Sequence, residues 1–284
     1  MIEVLNAGVY CSIQDEGRFG FAKLGIPQSG YLDFYAARMA NQLLNNDSFD
    51  AVLEVTYGQG KFKFHTATYM CITGGDFSPR LNNQLIMANK VYEVEAGAIL
   101  SFGLRVDGAR SYVAVRGGIQ SEILFGSRSF FKGITKERLT KGDQLKILTK
   151  KQFKQAGYSR VKRIQNCDSS PVLDCFRGPE FDQLNKEQKR QLCRPFTISL
   201  DTNRVGYRLN EVLENNLKPI ITSPVLPGTV QLTPSGKLMI LMRDCQVTGG
   251  YPRVLQLSEN AQAKLSQKVA GEVLVFKPIH HEIA

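Results

Sequence analysis

The chain has 284 residues, of which 43% are hydrophobic and 22% charged, and 36 Lys and Arg against 26 Asp and Glu give a net charge of +10. This composition is that of a soluble globular protein with length for one large domain or two of about 140 residues. No apolar run approaches the roughly 20 residues of a membrane span, the opening MIEVLNAGVYCSIQDEG lacks a secretory signal pattern, and the six scattered cysteines contain no C-x-x-C, which excludes an encoded zinc site or disulfide framework. A reduced, cytoplasmic protein is the expectation. Twenty-five glycines, no tryptophan and many short Val/Ile/Phe/Tyr runs point to β structure.

In chain order, residues 2–13 alternate loosely as a first strand. Gln14-Asp15-Glu16-Gly17-Arg18-Phe19-Gly20 and Gly25-Ile26-Pro27-Gln28-Ser29-Gly30 follow as tight loops. Leu32, Tyr35, Ala36, Met39, Ala40, Leu43 and Leu44 then recur with helical spacing, which predicts one amphipathic helix over about 32–44, with Asp33 in the first turn where exposed amides favour a carboxylate. From 51 to 149 come seven short β-like runs (AVLEVTYG, KFKFHT, YMCITG, VYEVEAG, AILSFG, RSYVAVRGG, QLKILTK), with Gly74-Gly75 and Gly117-Gly118 read as turns. The expected organisation is a β-rich N-terminal domain over 1–150, a basic linker over 151–164 and a second β-rich domain over 165–284.

The basic charge is concentrated. Between Lys132 and Arg163, eleven Lys or Arg stand against Glu137 and Asp143, a local net of +9. With no nucleic-acid motif and few aromatics to stack on bases, the segment reads as a solvated connector rather than a nucleic-acid surface.

The second half opens with VLDCFRGP at Pro171. A helix is expected over about 180–192 from Phe181, Leu184, Gln188 and Leu192, then the strand FTISL, then a loop over Asp201–Leu209. The stretch 223–254 carries the strongest local pattern. Leu238 to Met242 is an uninterrupted apolar run, read as a strand covered on both faces. Thr233-Pro234-Ser235-Gly236 has the composition of a type I turn, so Val230, Gln231 and Leu232 should pair back as a hairpin. After the run, Arg243, Asp244, Gln246 and Thr248 lead into Gly249-Gly250-Tyr251-Pro252, which delivers ionisable groups and close-approach backbone to the rim of a core. Ser258 is a candidate N-cap for a helix to Gln267, and EVLVFKP is a final strand.

Standard catalytic signatures are missing. The three histidines (His65, His280, His281) flank no nucleophile motif, and Gly236-Lys237 lacks the spacing of a phosphate-binding loop. No G-x-G-x-x-G, H-E-x-x-H or G-x-S-x-G occurs. What remains are the carboxylates Asp15, Asp33, Glu54 and Asp244 and the guanidiniums Arg18, Arg128, Arg204 and Arg208, set beside Gly or Ser in loops of both halves. Arg can clasp a carboxylate or phosphate through two parallel hydrogen bonds, and carboxylates can relay protons. These same residues can instead pair with one another and fix loops.

Eight motifs nonetheless run in order along nearly the whole chain. They are Gln14-Asp15-x-Gly17-Arg18, Gly25-Ile26-Pro27-x-Ser29-Gly30-x-x-Asp33, Ala40-Asn41-x-Leu43, Leu53-Glu54 and Gly126-Ser127-Arg128-Ser129. Asn203-Arg204-x-Gly206-Tyr207-Arg208-Leu209, Pro227-Gly228-Thr229-x-Gln231 and Asp244-x-Gln246-x-Thr248-Gly249-Gly250-Tyr251-Pro252 complete the set. Together they resemble the biotin-dependent carboxyltransferase-like family, also called KipA-like, allophanate hydrolase subunit 2 or the C subunit of 5-oxoprolinase.

The resemblance implies a mainly β protein in two β-rich halves with a few short helices, the C-terminal half a cyclophilin-like barrel. It implies a heteromer with a KipI-like partner protein and a LamB/YcsF-like protein that opens 5-oxoproline to glutamate with ATP. The alternatives are a regulatory module that sequesters a KipI-like kinase inhibitor, and a carboxyltransferase acting on urea or a similar amide with a biotin carrier. ATP is implied for this chain or for its complex, and Mg is admitted. The chain has no biotin-attachment site, and no partner nucleic acid or membrane is expected. No metal ligands are assigned. The motif residues with catalytic chemistry are Asp15, Arg18, Arg204, Arg208 and Asp244. Those placed to bind a small-molecule substrate are Gln14, Ser29, Asp33, Tyr207, Gln231, Thr248, Gly249, Gly250 and Tyr251. Two positions depart from the family pattern: Pro224, where a Glu usually follows the Ser, and Val247, where Thr commonly stands.

Overall fold

A computed structural model describes residues 1–148 and 170–279. The expected linker over 151–164, the part of the basic stretch after 148, Cys167 and the two C-terminal histidines lie outside the described residues. The described chain divides into two compact units, one formed by Met1–Arg18 with residues 29–148, the other by Phe19–Gln28 with residues 170–279. The segment Phe19–Gln28, which takes in Gly25, Ile26 and Pro27 of the second motif, therefore belongs to the second unit.

In the first unit the strands are β1 (Ile2–Ala7), β2 (Tyr10–Gln14), β3 (Val52–Thr56), β4 (Gly60–Phe64), β5 (Thr68–Asp76) and β6 (Arg80–Leu81). They continue with β7 (Gln84–Leu85), β8 (Val91–Val94), β9 (Ile99–Ser101), β10 (Asp107–Val115) and β11 (Gln144–Leu145), and one helix, α1 (Phe34–Leu43), is inserted after β2. They form a six-stranded sheet in the order β11-β1-β4-β9-β6-β7 and a five-stranded sheet in the order β2-β3-β10-β5-β8. Ile2, Val4, Phe62, Phe64 and Leu100 from the first sheet and Cys11, Ile13, Leu53, Val55, Ile72 and Val113 from the second share one apolar core. The period of two along each strand sends these residues to that core.

The opposite face of the five-stranded sheet is polar, yet it too is buried. Ser12 stands opposite Glu54, Glu54 opposite Tyr112, and Tyr112 opposite Thr73, and all four side chains are at most 1% exposed. Helix α1 and the residues before it cover them. The Thr73 hydroxyl donates to the Ala36 carbonyl at 2.7 Å, the Asp33 amide donates to the Tyr112 hydroxyl at 2.8 Å, and the Leu32 amide lies 3.4 Å from Glu54 Oε2.

Several expectations are corrected here. Residues 2–13 form two strands, because Gly8 (φ 62) turns the chain and its amide donates to Asn6 Oδ1. Gly74-Gly75 lies inside β5, where the pairing with β10 shifts register between Asp107 and Ser111. A Cβ on Gly75 would stand 2.9 Å from the Asp107 carbonyl oxygen, so glycine serves a close strand approach and not a turn. Gly117-Gly118 is a turn as expected, closed by the Gly118 amide on the Val115 carbonyl. Helix α1 begins one residue after Asp33, which acts as its N-cap by accepting from the Ala36 amide at 3.0 Å. Its buried face is rotated from the expected stripe: Tyr35 is exposed, whereas Phe34, Ala37 and Asn41 are buried. The small Ala36, Ala37 and Ala40 allow the helix to sit close on the polar sheet face.

The second unit contains β12 (Val172–Arg177), β13 (Pro195–Thr202), β14 (Gly206–Val212), β15 (Ser223–Pro224), β16 (Thr229–Leu232), β17 (Lys237–Leu241), β18 (Thr248–Gly249), β19 (Arg253–Leu257) and β20 (Val273–Pro278). Helices α2 (Lys186–Gln191) and α3 (Glu259–Ser266) complete it. Seven strands close a barrel in the order β12-β19-β16-β17-β14-β13-β20, with β15 and β18 as a separate two-stranded ribbon. The fold is thus mainly β with three short helices among the described residues. The hairpin forms as expected: Val230 pairs with Ile240 and Leu232 with Leu238, and the Gly236 amide closes the turn on the Thr233 carbonyl at 2.9 Å. Leu238, Ile240 and Leu241 are fully buried. Leu241 belongs to a small second cluster with Val225 and Cys245, against which Met239 packs.

The helix expected over 180–192 is broken. A 3-10 turn covers Phe181–Gln183, and α2 starts afresh at Asn185, whose side chain and that of Gln188 form a reciprocal capping box. The apolar positions Phe181, Leu184 and Leu192 are buried with Gln188, although no single helix carries them. The loop expected over 201–209 shrinks to Asn203–Val205, because β13 and β14 take the flanks. Ser258 caps α3, accepting from the Ala261 amide at 3.2 Å.

Candidate functional site

In the first unit the motif residues gather around Asp15, at the end of β2. Its carboxylate is buried and accepts four hydrogen bonds: the Gly17 amide (2.9 Å) and the Ser127 and Ser129 hydroxyls (2.6 Å each) on Oδ1, and the Arg128 amide (2.6 Å) on Oδ2. Its own amide donates to Ser129 Oγ at 3.0 Å, and its carbonyl accepts from the Tyr31 amide at 2.9 Å. This one carboxylate ties together the Gln14–Arg18 loop, the Gly126–Ser129 loop and the start of the segment leading into α1. Charge-assisted bonds of this kind are roughly twice as strong as neutral ones.

The other residues sit around that hub. Arg18 is buried and donates to the Ser129 carbonyl. Gln14 is fully buried, its Nε2 donating to Ser12 Oγ at 2.9 Å and reaching the Phe130 carbonyl at 3.4 Å. Ser29 is fully buried in the left-handed region at φ 54, and Gly30 follows at φ 93, where a Cβ would stand 2.8 Å from the Asp15 carbonyl oxygen. Asp33 serves as the helix cap. Glu16, which stands at a variable position of its motif, is clasped by Arg38 through two bonds of 2.6 and 2.8 Å. The buried pair of Glu54 and Arg110, 3.8 Å apart, lies on the polar sheet face. A charged residue at an alternating strand position carries no sign of its burial, so these partners are not legible in the sequence.

In the second unit Arg204 and Asp244 form a buried bidentate pair, Nε to Oδ2 at 2.8 Å and Nη2 to Oδ1 at 3.1 Å. The backbone doubles the clasp, since the Asp244 amide donates to the Arg204 carbonyl at 3.0 Å and the Met242 amide to the Val205 carbonyl at 2.9 Å. Gln231, Gly249 and Tyr251 also come together: Gln231 Nε2 reaches the Tyr251 carbonyl at 3.4 Å, and a Cβ on Gly249 would stand 2.6 Å from that same nitrogen. A larger residue at 249 would require the glutamine amide to move. The Gly250 carbonyl accepts from the Ile220 amide, Thr248 is exposed opposite Pro224, and Tyr251 is 40% exposed. The two departures from the family pattern are thus neighbours, because Pro224 pairs with Thr248 and the Val225 amide donates to the Val247 carbonyl.

Two residues fall elsewhere. Tyr207 is fully buried, its hydroxyl 3.5 Å from the Lys268 carbonyl. Arg208, the next residue on the same strand, pairs with Asp201 on the exposed side. A pair that sequence reasoning misses is Arg253 with Glu180. Arg253 Nε and Nη2 donate to the Glu180 carboxylate at 3.0 and 2.8 Å, and the Arg253 amide adds a third bond at 2.8 Å. The signal available is Arg253 directly after Gly-Gly-Tyr-Pro.

Hydrogen bonding from Arg253 holds the Glu180 carboxyl below its ordinary value of 4.5, outweighing burial, which acts the other way. A depressed folded-state value means that this pair stabilises the fold fully above pH 4.5 and that the contribution is lost as pH falls through the folded value. Glu180→Gln should therefore cost about 1–3 kcal/mol at pH 7 and flatten the acid side of the curve. Thermal midpoints from pH 7 to 3 should converge for wild type and variant, and parallel curves would contradict the assignment.

Burial pushes the thiols of Cys71, Cys175 and Cys245 up to about 12, so none is a thiolate nucleophile at neutral pH. Among the described residues no group of three or more His, Cys, Asp or Glu is placed to hold a metal ion, the five described cysteines are free, and no helix is long and apolar enough to cross a membrane.

Residues 24–278 match the family model of the carboxyltransferase domain, subdomain A and B. The chain is 33% identical to the C subunit of 5-oxoprolinase from Escherichia coli (strain K12), over 97% of its own length and 90% of that protein. It is 40% identical to urea amidolyase of Saccharomyces cerevisiae over 99% of its length, which is 17% of that protein. Among solved structures it superposes on the Kluyveromyces lactis urea amidolyase with a TM-score of 0.89 at 27% identity, covering 98% of this chain and 19% of that one. The solved chains that it matches are longer, and it spans 19% to 56% of them.

Proposed function

The chain belongs to the carboxyltransferase domain family, and from that membership we propose that it is one component of an ATP-dependent 5-oxoprolinase, which opens 5-oxoproline to glutamate together with a KipI-like protein and a LamB/YcsF-like protein. The observation that supports this reading is similarity along nearly the whole chain: it is 33% identical to a protein named as a 5-oxoprolinase subunit over 97% of its own residues.

Opening a lactam is uphill unless coupled to ATP, so the site must hold an amide, stabilise charge developing on its oxygen and position water. Each unit carries groups of suitable chemistry, the Asp15 loop in the first and the Arg204–Asp244 pair in the second. ATP itself is assigned to the complex. Neither Gly-Lys step, Gly60-Lys61 or Gly236-Lys237, has the spacing of a phosphate loop, and Gly236 closes a hairpin with its amide already donating to the Thr233 carbonyl. Omission tests the reading. The three proteins together should release ADP in proportion to 5-oxoproline, and leaving out this chain should abolish it. Equal release without this chain would refute the proposal.

A second reading, carboxyl transfer to urea or a similar amide, is favoured by the 40% identity to urea amidolyase. It requires a biotinylated carrier, and these 284 residues contain no Met-Lys-Met. A regulatory role limited to sequestering a KipI-like protein is separated from both by the joint variant Arg204→Met with Asp244→Leu, which should spare sequestration but not turnover.

A further inference from the structure

Among the buried side-chain atoms of the first unit that have no hydrogen-bond partner in the described residues are Gln14 Oε1 and Ser29 Oγ, along with Thr56 Oγ1 and Ser121 Oγ; Gln14 and Ser29 are both 0% exposed. Such groups are uncommon in folded proteins because each gives up its water without a replacement. The two lie in one part of the unit. Gln14 precedes Asp15 at the end of β2, and the Ser29-Gly30 step runs against the Asp15–Glu16 backbone, which a Cβ on Gly30 would meet at 2.8 Å. The Tyr31 amide fixes that contact by donating to the Asp15 carbonyl at 2.9 Å.

The chemistry of each atom is defined. Gln14 Nε2 is oriented by the Ser12 hydroxyl and the Phe130 carbonyl, and a carbonyl can only accept. Gln14 therefore presents its oxygen, an acceptor that calls for an N–H donor. Ser29 presents a hydroxyl that can donate. Ser29 also holds a left-handed backbone at φ 54, a conformation that glycine adopts freely and serine does not. Local stability would be served by glycine at 29, so the serine hydroxyl stands there against both steric preference and desolvation. Strain and an unsatisfied buried group at the same residue are features of ligand contacts. The neighbouring Asp15 hub holds both residues in place before anything binds.

We infer that Gln14 and Ser29 recognise an amide: Gln14 Oε1 accepts its N–H, and Ser29 Oγ donates to its carbonyl oxygen. A lactam and urea share this N–H/C=O pair, and the proposal of a lactam in particular rests on the 5-oxoprolinase reading.

The test titrates wild type, Ser29→Gly and Gln14→Met calorimetrically with 5-oxoproline, N-methyl-5-oxoproline and urea, using the full chain and its reconstituted complex. Unfolding midpoints are measured without ligand. Ser29→Gly should raise the midpoint by about 2–4 °C and weaken amide binding about tenfold. Wild type should prefer 5-oxoproline to its N-methyl analogue by at least about tenfold, a preference that Gln14→Met loses and Ser29→Gly keeps. Urea bound with the same dependence on both residues would identify urea as the amide and support the inference.

The inference is overturned if Ser29→Gly binds with wild-type affinity or lowers the midpoint. It is also overturned if wild type does not distinguish the N-methyl analogue, or binds none of the three. Amide binding that depends on Ser29 and Gln14 in a complex that releases no ADP would leave this inference standing and refute the 5-oxoprolinase reading instead.

Discussion

Arg204→Met should destabilise the barrel unit by about 3–5 kcal/mol, the cost of leaving Asp244 buried and unpaired. Both side chains are nearly inaccessible, at 7% and 9%, and they meet through two hydrogen bonds in a fork geometry that lysine cannot reproduce. Arg204→Lys should therefore recover only part of the loss. Joint replacement, Arg204→Met with Asp244→Leu, should recover most of it, because two apolar residues of similar volume need no partner. Denaturant unfolding of the four proteins measures these differences. The joint variant also separates the pair's two roles. If the pair serves catalysis or substrate binding, this variant folds and still fails to turn over. If it only fixes the loops of Asn203–Val205 and Met242–Asp244, activity returns with stability.

Asp15→Ala should be at least as damaging to the first unit, on the order of 4 kcal/mol or more, because four buried donors lose their acceptor at once and each unsatisfied group costs about 1–3 kcal/mol. Asp15→Asn keeps the shape but turns an NH2 group toward donors, so it should fall between wild type and alanine. Ser127→Ala or Ser129→Ala removes one donor and leaves three, with an expected cost of about 1–2 kcal/mol. A chemical-denaturation series over these variants checks the ordering. A near-neutral Asp15→Ala that unfolds like wild type would show that the carboxylate is not what joins the three loops.

What can be read in the chain, and what cannot, follows from how far each cause lies from its effect. The start of α1 is legible because Asp33 and the apolar spacing after it are adjacent. The hairpin from Val230 to Leu241 is legible because its turn sits between its strands, and the cap at Ser258 for the same reason. Gly74-Gly75 reads wrongly as a turn because the reason for Gly75 is the Asp107 carbonyl on another strand. The break at Leu184-Asn185 escapes notice because the buried spacing continues across it, and only the reciprocal bonds of Asn185 and Gln188 mark the restart.

Among site residues, the motifs single out Asp15, Arg18, Gln14 and Ser29, but their partners are silent in the sequence. Forty residues separate Arg204 from Asp244, and 73 separate Glu180 from Arg253. The polar face of the five-stranded sheet is the most instructive failure. Ser12, Glu54 and Thr73 alternate with apolar neighbours, a pattern that ordinarily means a solvated face, and only α1 lying over them makes that face an interior.

Product identity decides the central functional claim most directly. The reconstituted complex should be given 5-oxoproline with ATP and, in a parallel reaction, urea with a carboxylated biotin carrier. We predict glutamate and ADP in equal amounts from the first reaction and no carboxylated urea from the second. Carboxylated urea without glutamate would contradict the 5-oxoprolinase account and move this chain to the carboxyl-transfer branch of its family.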